Sequence, residues 1–349
     1  MTPFVRAEIR AMEAYVPGEQ PRDGKVIKLN TNENPYPCSP RVQEVLVSVC
    51  RQGLGRYPDP TAAAFRIRAA DVLGIEPDWI VCGNGSDDLL TIVTRALVGA
   101  GDCVRYPKPS YVLYRTLAEI QGARFEEILF ENDWSLGAAF TARRDDLKLV
   151  YLANPNSPSG TMIPPARVLE MAERLPCPLL LDEAYVDFAD ESGLDLVRQN
   201  EKILVSRSMS KSYALAGLRF GYLVAQPQLI DQLNKVKDSY NCSVLAIVGA
   251  TAAIDDQQWL RETRARIVAT RTRLIEGMRA LGFAAVPSQA NFVWNPHPEL
   301  PVRPLYERLK AGGILVRYMN YAGWGDGLRI SVGTDAEIDE CLTRLAAMM

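Results

Sequence analysis

Between Trp79 and Tyr222 the chain alternates short, almost unbroken apolar runs with amphipathic stretches of helical period. The runs read "WIVC", "DCVRY", "LKLVYLA", "CPLLLDEAY", "KILVSRS" and "FGYLVA". A strand that is apolar on both faces must be covered on both, and parallel neighbours need a crossover connection, usually a helix. The pattern therefore predicts an α/β fold, a mostly parallel sheet inside an α/β/α sandwich. Beyond Asn241 the rhythm changes. Leu260, Ile267, Leu274 and Leu281, seven apart on one stripe, predict a long helix from Asp255 to Leu281 that stops at Gly282. The runs "NFVW", "GILVRYM" and "LRISV", a helix from Pro304 to Lys310, and a last helix opened by the T-x-x-E pair Thr334 and Glu337 complete a smaller α+β unit. The expected division is an N-terminal arm over 1–28, a large domain over 29–241 and a small C-terminal domain over 242–349.

With 349 residues and 48% hydrophobic content there is enough apolar surface for two such domains. A formal net charge of −3 leaves no excess of Lys and Arg for a nucleic-acid footprint or a basic membrane-binding face. No window approaches the roughly 18 apolar residues of a membrane span. The N-terminus "MTPFVRAEIRAMEAY" has acidic residues where a secretion signal would have its apolar segment. A cytoplasmic protein with small-molecule partners is expected, with no nucleic acid and no membrane. The seven cysteines are scattered singly without a C-x-x-C pair, so neither a disulfide framework nor a zinc site is suggested. The single histidine, His297, sits among prolines in "WNPHPEL" and reads as a loop residue, which argues against a His base or a His-ligated metal.

In open α/β sheets ligands bind beyond the carboxyl ends of the strands, so the residues that follow each apolar run are the candidates for chemistry. After "LKLVYLA" comes "NPNSPSG", after "PLLL" comes "DEAY", and after "KILVS" comes "RSMSK". Amides (Asn154, Asn156), a carboxylate (Asp182), a phenol (Tyr185) and an amine (Lys211) thus reach one rim. The run "WIVC" leads through Gly83 and Gly85 into a helix beginning near Ser86, an arrangement that offers free N–H groups to an anion. It is neither GxGxxG nor a P-loop, which removes the main support for a nucleotide fold. Taken singly, Asp182 is equally a helix N-cap, Asn154 and Asn156 turn formers, Tyr185 a core aromatic and Lys211 a surface lysine. Their joint arrival after buried strands favours a site. A lysine desolvated there has a depressed pKa and attacks carbonyls, for which a Schiff base is the natural use.

In chain order, "KLNTNENPYP", "RYPDP", "GNGSDD", "PSYVLYR", "NPNSPSG", "LDEAY", "SMSKSYALAGLRFGY", "PSQANF" and "LRISVGT" resemble the pyridoxal-phosphate enzymes of the aspartate-aminotransferase fold, fold type I, and within them the histidinol-phosphate aminotransferases. The resemblance covers nearly the whole chain. It implies that Lys211 holds pyridoxal 5'-phosphate as a Schiff base and then moves the proton between the substrate Cα and the cofactor. It implies Asp182 against the pyridinium nitrogen, Asn156 and Tyr185 on the phenolic oxygen, and Tyr111 stacked on the ring. The phosphate is expected at Ser86 and Asp87, held also by Ser208, Ser210 and Arg219, with Tyr57 reaching in from the second subunit of a homodimer whose active sites lie at the interface. Arg329 and Arg317 are expected to take the anionic groups of a phosphorylated amino donor and of 2-oxoglutarate, with Asn34 and Tyr15 as further substrate contacts. The reaction so implied converts L-histidinol phosphate and 2-oxoglutarate to imidazole acetol phosphate and L-glutamate in histidine biosynthesis. Enzymes with nearly this motif set also transaminate aromatic amino acids or decarboxylate threonine phosphate.

Overall fold

Among the residues that the computed structural model describes, 4–13, 18–20 and 26–349, the strands in chain order are β1 (Ile27–Lys28), β2 (Ile80–Gly83), β3 (Cys103–Lys108), β4 (Arg124–Leu129), β5 (Leu147–Ala153), β6 (Leu179–Asp182), β7 (Ile203–Ser208), β8 (Gly221–Val224), β9 (Phe292–Pro296), β10 (Ile314–Leu315), β11 (Arg317–Tyr321) and β12 (Gly325–Ser331). One seven-stranded sheet has the order β2-β8-β7-β6-β5-β3-β4. Strands β3 to β7 pair in parallel, whereas β8 runs antiparallel to both β7 and β2. Side chains alternate across this sheet as the pleat requires. Val150, Leu152, Leu179, Leu181, Ile203 and Val205 enter the core on one face, and Leu149, Tyr151, Leu180 and Leu204 enter the core on the other. Burying each of these leucines contributes about 2 kcal/mol, which explains why the strands read as unbroken apolar runs.

The direction of β8 decides where the site can lie. The chain leaves β7 at Ser208 and re-enters the sheet at Gly221, which is paired with Ser208. The intervening excursion is held by Met209 N donating to the Phe220 carbonyl (3.0 Å) and Leu215 N donating to the Met209 carbonyl (3.1 Å). Lys211 and Arg219 therefore stay at the rim where the parallel strands end.

The smaller core gathers Ile267, Leu274 and Met278 of the helix Gln257–Ala280, Leu305 and Leu309 of Arg303–Ala311, Ile338, Cys341 and Leu345 of Asp335–Ala346, and the antiparallel sheet β11-β12-β9. The long helix begins at Gln257, two residues later than its apolar stripe predicts. Asp256 is its N-cap, accepting from Trp259 N at 3.2 Å and from Ser39 Oγ at 2.6 Å, and it separates this helix from another over Val244–Asp255. Ala246, Ile247, Ala250, Ala253 and Ile254 of that preceding helix share the core of the large sheet, while Leu29 and Tyr36 share the smaller core. The last helix opens with the expected capping box: Glu337 N donates to Thr334 Oγ1 (3.3 Å) and Thr334 N donates to Glu337 Oε2 (2.7 Å). His297 accepts from the backbone N–H groups of Glu299 and Leu300 at 3.2 and 3.0 Å, a loop role. Among the described residues no helix is long and apolar enough to cross a membrane.

Candidate active site

The rim of the seven-stranded sheet and the face of the small sheet enclose a cavity of about 280 Å³. Lys211 enters it from the excursion between β7 and β8, with Nζ donating to the Thr31 carbonyl at 3.2 Å and lying 5.7 Å from the centre of the Tyr185 ring. The backbone beneath is clamped: Asn34 Nδ2 donates to the carbonyls of Lys211 (3.1 Å) and Ser212 (2.9 Å), and Ser212 Oγ donates to Asp187. Asn34 Oδ1 accepts from Tyr36 N at 2.9 Å. This structure therefore commits both ends of the Asn34 amide to backbone, away from the substrate contact expected of it.

Asp182 ends β6 and is 5% exposed. It accepts from Tyr114 Oη at 2.8 Å, Ala184 N at 3.2 Å and Ser206 Oγ at 3.3 Å. Burial raises its carboxyl from the ordinary 3.8 to about 6, against the pull of the Tyr114 hydroxyl. Tyr114 is held by stacking on Tyr151 (centroids 4.6 Å apart) and by an edge contact with Tyr111 at 5.7 Å.

The anion end of the cavity is built on the helix Ser86–Leu97, which starts where predicted. Its N-cap, Gly85, has φ 84°, and a Cβ there would lie 2.5 Å from Arg219 Nη2; a Cβ on Gly221 would lie 2.8 Å from Ser86 N. Both glycines are required by close approach, and together they keep a helix N-terminus and a guanidinium open to one point. Arg219 Nη1 donates to Ser210 Oγ (3.2 Å) and the Ala216 carbonyl (3.4 Å), and Nη2 lies 3.8 Å from Asp87 Oδ2. Tyr111 Oη donates to Asp87 Oδ1 at 3.0 Å, and Ser210 N donates to Ser208 Oγ at 3.2 Å.

The small sheet supplies Arg317 and Arg329, paired residues of β11 and β12 that both line the cavity. Arg329 Nη1 donates to Ser157 Oγ and Nη2 to the Asn30 carbonyl, each at 3.0 Å, with Cζ 5.3 Å from the Phe292 ring centre. Ser86, Asp87, Tyr111, Asp182, Tyr185, Ser208, Ser210 and Arg219 line the same space. Asn156 stands behind the wall: Oδ1 accepts from Ser110 Oγ (2.8 Å), and Nδ2 donates to the Pro109 carbonyl (3.1 Å) and to Ser159 Oγ (3.0 Å). Tyr57 is 81% exposed and stacks on Tyr240 with centroids 4.4 Å apart, outside the cavity of a single chain. Tyr15 lies outside the described residues. Thr31, Asn32, Tyr114 and Ser157 belong to the site without having been singled out. Tyr114 had a weak signal in its nearness to Tyr111, which stands just before the helix Leu113–Gln121 and meets the Tyr114 ring edge-on. A second, more open hollow beside Trp134, Arg167 and Gln289 contains none of the expected residues.

Residues 24–345 match the family Aminotransferase class I and II. The chain belongs to this family. It is similar to the histidinol-phosphate aminotransferase of Rhodopirellula baltica, with 52% identity over 345 residues that cover 99% of this chain and 95% of that one. Histidinol-phosphate aminotransferase 1 of Trichormus variabilis is 46% identical, covering 97% of this chain and 96% of its own. Among solved structures, the histidinol-phosphate aminotransferase of Sinorhizobium meliloti in complex with pyridoxal-5'-phosphate matches with TM-score 0.91 and 27% identity, covering 100% of this chain and 99% of that one. The α/β/α sandwich predicted from the apolar runs, and the aminotransferase fold implied by the resemblance of the motifs, are the fold observed.

The buried carboxylate of this aminotransferase has a measurable consequence. Because the folded-state pKa of Asp182 is raised to about 6, the native protein retains a proton that the unfolded chain releases, and this group withdraws stability as pH rises from its ordinary value of 3.8 to about 6. In cofactor-free protein, Asp182→Asn is expected to match the wild type near pH 4 and to exceed it by about 2–3 kcal/mol at pH 7. Denaturant unfolding at the two pH values checks this, and a pH-independent difference would contradict it.

Proposed function

We propose that this aminotransferase passes the amino group of L-histidinol phosphate to 2-oxoglutarate by way of pyridoxal 5'-phosphate, yielding imidazole acetol phosphate and L-glutamate in histidine biosynthesis, as a cytoplasmic homodimer. The observation that carries this reading is the convergence of an amine, a buried carboxylate and three guanidinium groups on one cavity, Arg219 from the large sheet's rim and Arg317 and Arg329 from the small sheet. One cation suits the cofactor phosphate and two suit anionic substrates. The names and full-length similarity of the relatives support the same reading.

The residues fit the cofactor. Asp182 is a buried acid whose hydrogen-bond partners are a phenol, a backbone N–H and a hydroxyl, and a protonated ring nitrogen would supply it with an opposite charge. The space that Gly85 and Gly221 keep open before Ser86 N and Arg219 suits a phosphate. Ser86, Asp87, Ser208, Ser210 and Arg219 would hold that phosphate, joined by the partner subunit's Tyr57. Tyr111 would cover the ring, and Tyr185 would donate to the phenolic oxygen. Asn156 would donate to that oxygen through Nδ2, and so only by exchanging a bond to the Pro109 carbonyl or to Ser159 Oγ. Bound there, the cofactor supplies an aldehyde for the amino group and a ring that accepts the electron pair left at the substrate Cα. Lys211 Nζ carries the proton to and from that carbon, Asp182 keeps the ring nitrogen protonated, and Arg317 and Arg329 fix the substrate's anionic groups so that the proton faces the amine.

Assays of histidinol phosphate, phenylalanine and threonine phosphate separate this reading from its relatives. Glutamate is expected from histidinol phosphate with 2-oxoglutarate. Glutamate from phenylalanine alone, or carbon dioxide released from threonine phosphate, would replace the substrate assigned here.

A further inference from the structure

The bonds around Asn32 determine which way the Tyr185 hydroxyl can donate. Asn32 is 1% exposed and left-handed, with φ 57°, a conformation that Asn adopts more readily than most residues. Its N–H donates to Ser331 Oγ at 2.8 Å and its carbonyl accepts from Asn291 Nδ2 at 3.0 Å, so its backbone is tied to the small sheet and the loop before it. Ser331 Oγ passes its one proton to Asn32 Oδ1 at 3.0 Å. With the amide oxygen taken by that donor, the amide nitrogen faces Tyr185, and Nδ2 donates to the phenol oxygen at 3.0 Å. A phenol that accepts from Asn32 has its single proton to give elsewhere, and Tyr185 lines the cavity.

We infer that Asn32 is a positioning residue that turns the Tyr185 O–H into the cavity, and that Ser331 sets the orientation of Asn32. The inference rests on the proposed function in one respect: the atom that receives the Tyr185 proton is the phenolic oxygen of pyridoxal 5'-phosphate. Ser331 stands two residues after Arg329 on β12, so the strand proposed to bind the substrate's anion also aims the donor at the cofactor.

Asn32→Asp preserves shape and tolerance of the left-handed backbone but replaces the amide donor by an acceptor. Tyr185 would then donate its hydrogen bond to residue 32, the phenolic oxygen of bound cofactor would keep more of its negative charge, and Lys211 Nζ beside it would hold its proton more tightly. In an absorption-monitored pH titration of the cofactor-bound enzyme the midpoint is expected to rise by about one unit or more in Asn32→Asp, and by less in Ser331→Ala. The other charged groups around the cavity, Lys211, Glu33, Asp87, Asp182, Arg219, Arg317 and Arg329, are the same in every variant. A new carboxylate also acts through space, so the comparison is repeated in a Tyr185→Phe background. There Asn32→Asp is expected to add little, and a full shift persisting without the phenol would overturn the inference. Ser331→Ala adds no charge and carries the test if Asn32→Asp does not fold; an unmoved midpoint in that variant would also overturn it. Wild-type protein that takes up no pyridoxal 5'-phosphate would overturn the proposed function and this inference together, whereas a yellow enzyme with unmoved titrations would overturn the inference alone.

Discussion

Lys211→Ala is expected to lower turnover by at least about 10³–10⁴-fold, the upper range for a positioned acid–base group, while cofactor is still bound non-covalently. Lys211 is the one amine among the residues that line the cavity; the other cations there are guanidinium groups, which stay protonated and neither attack an aldehyde nor accept a proton from carbon. Its position is over-determined, with Nζ on the Thr31 carbonyl and its own carbonyl held by Asn34, so no neighbouring side chain substitutes for it by a small shift. The groups at the phosphate end are untouched by the substitution, which is why binding survives. Borohydride reduction followed by peptide mass spectrometry is expected to find the cofactor on Lys211 in the wild type and on no side chain in the variant. Turnover retained in Lys211→Ala, or a label elsewhere, would remove the centre of the proposed chemistry.

The second large effect is expected at Arg329. Truncation to alanine removes a guanidinium aimed by two hydrogen bonds, to Ser157 Oγ and the Asn30 carbonyl, and placed against the Phe292 ring. A group held so firmly loses little freedom when it binds a carboxylate or phosphate. Loss of one partner of such a charge pair costs about 2–5 kcal/mol, roughly 30- to 5,000-fold in kcat/KM. Because donor and acceptor occupy the same site in turn, both KM values are expected to rise. Arg329→Lys is expected to rescue only part of the loss, since one ammonium cannot reproduce the planar fork. Steady-state kinetics with each substrate varied in turn decide the matter: unchanged KM values would place substrate recognition elsewhere, with Arg317 the next residue to test.

How much of this was legible beforehand follows from the range over which each feature acts. The helix at Ser86 and the capping box at Thr334 are decided within a few residues, and both stand where predicted. The start of the long helix was misplaced by two residues because its true start signal, the N-cap Asp256 side chain, is reinforced by Ser39 from the far side of the sequence. Asn34 shows the same limit. Its motif marks it as part of the site, but only the folded chain reveals that its amide holds the Lys211 backbone. Tyr114 was missed as the partner of Asp182, 68 positions away, although it lies three positions after Tyr111.

From sequence alone came the paired layers, the strands that build the rim, and the set of polar residues delivered there, because burial on both faces of a sheet marks each strand with an apolar run and leaves chemistry to the residues that follow. Tertiary structure decided the rest: that β8 returns antiparallel and so brings Arg219 back beside Lys211, and that Arg329, Asn30, Asn32 and Ser331 meet across 299 positions. A hydrogen bond between distant segments imposes no period on either of them, so it becomes visible only when the sheets have packed.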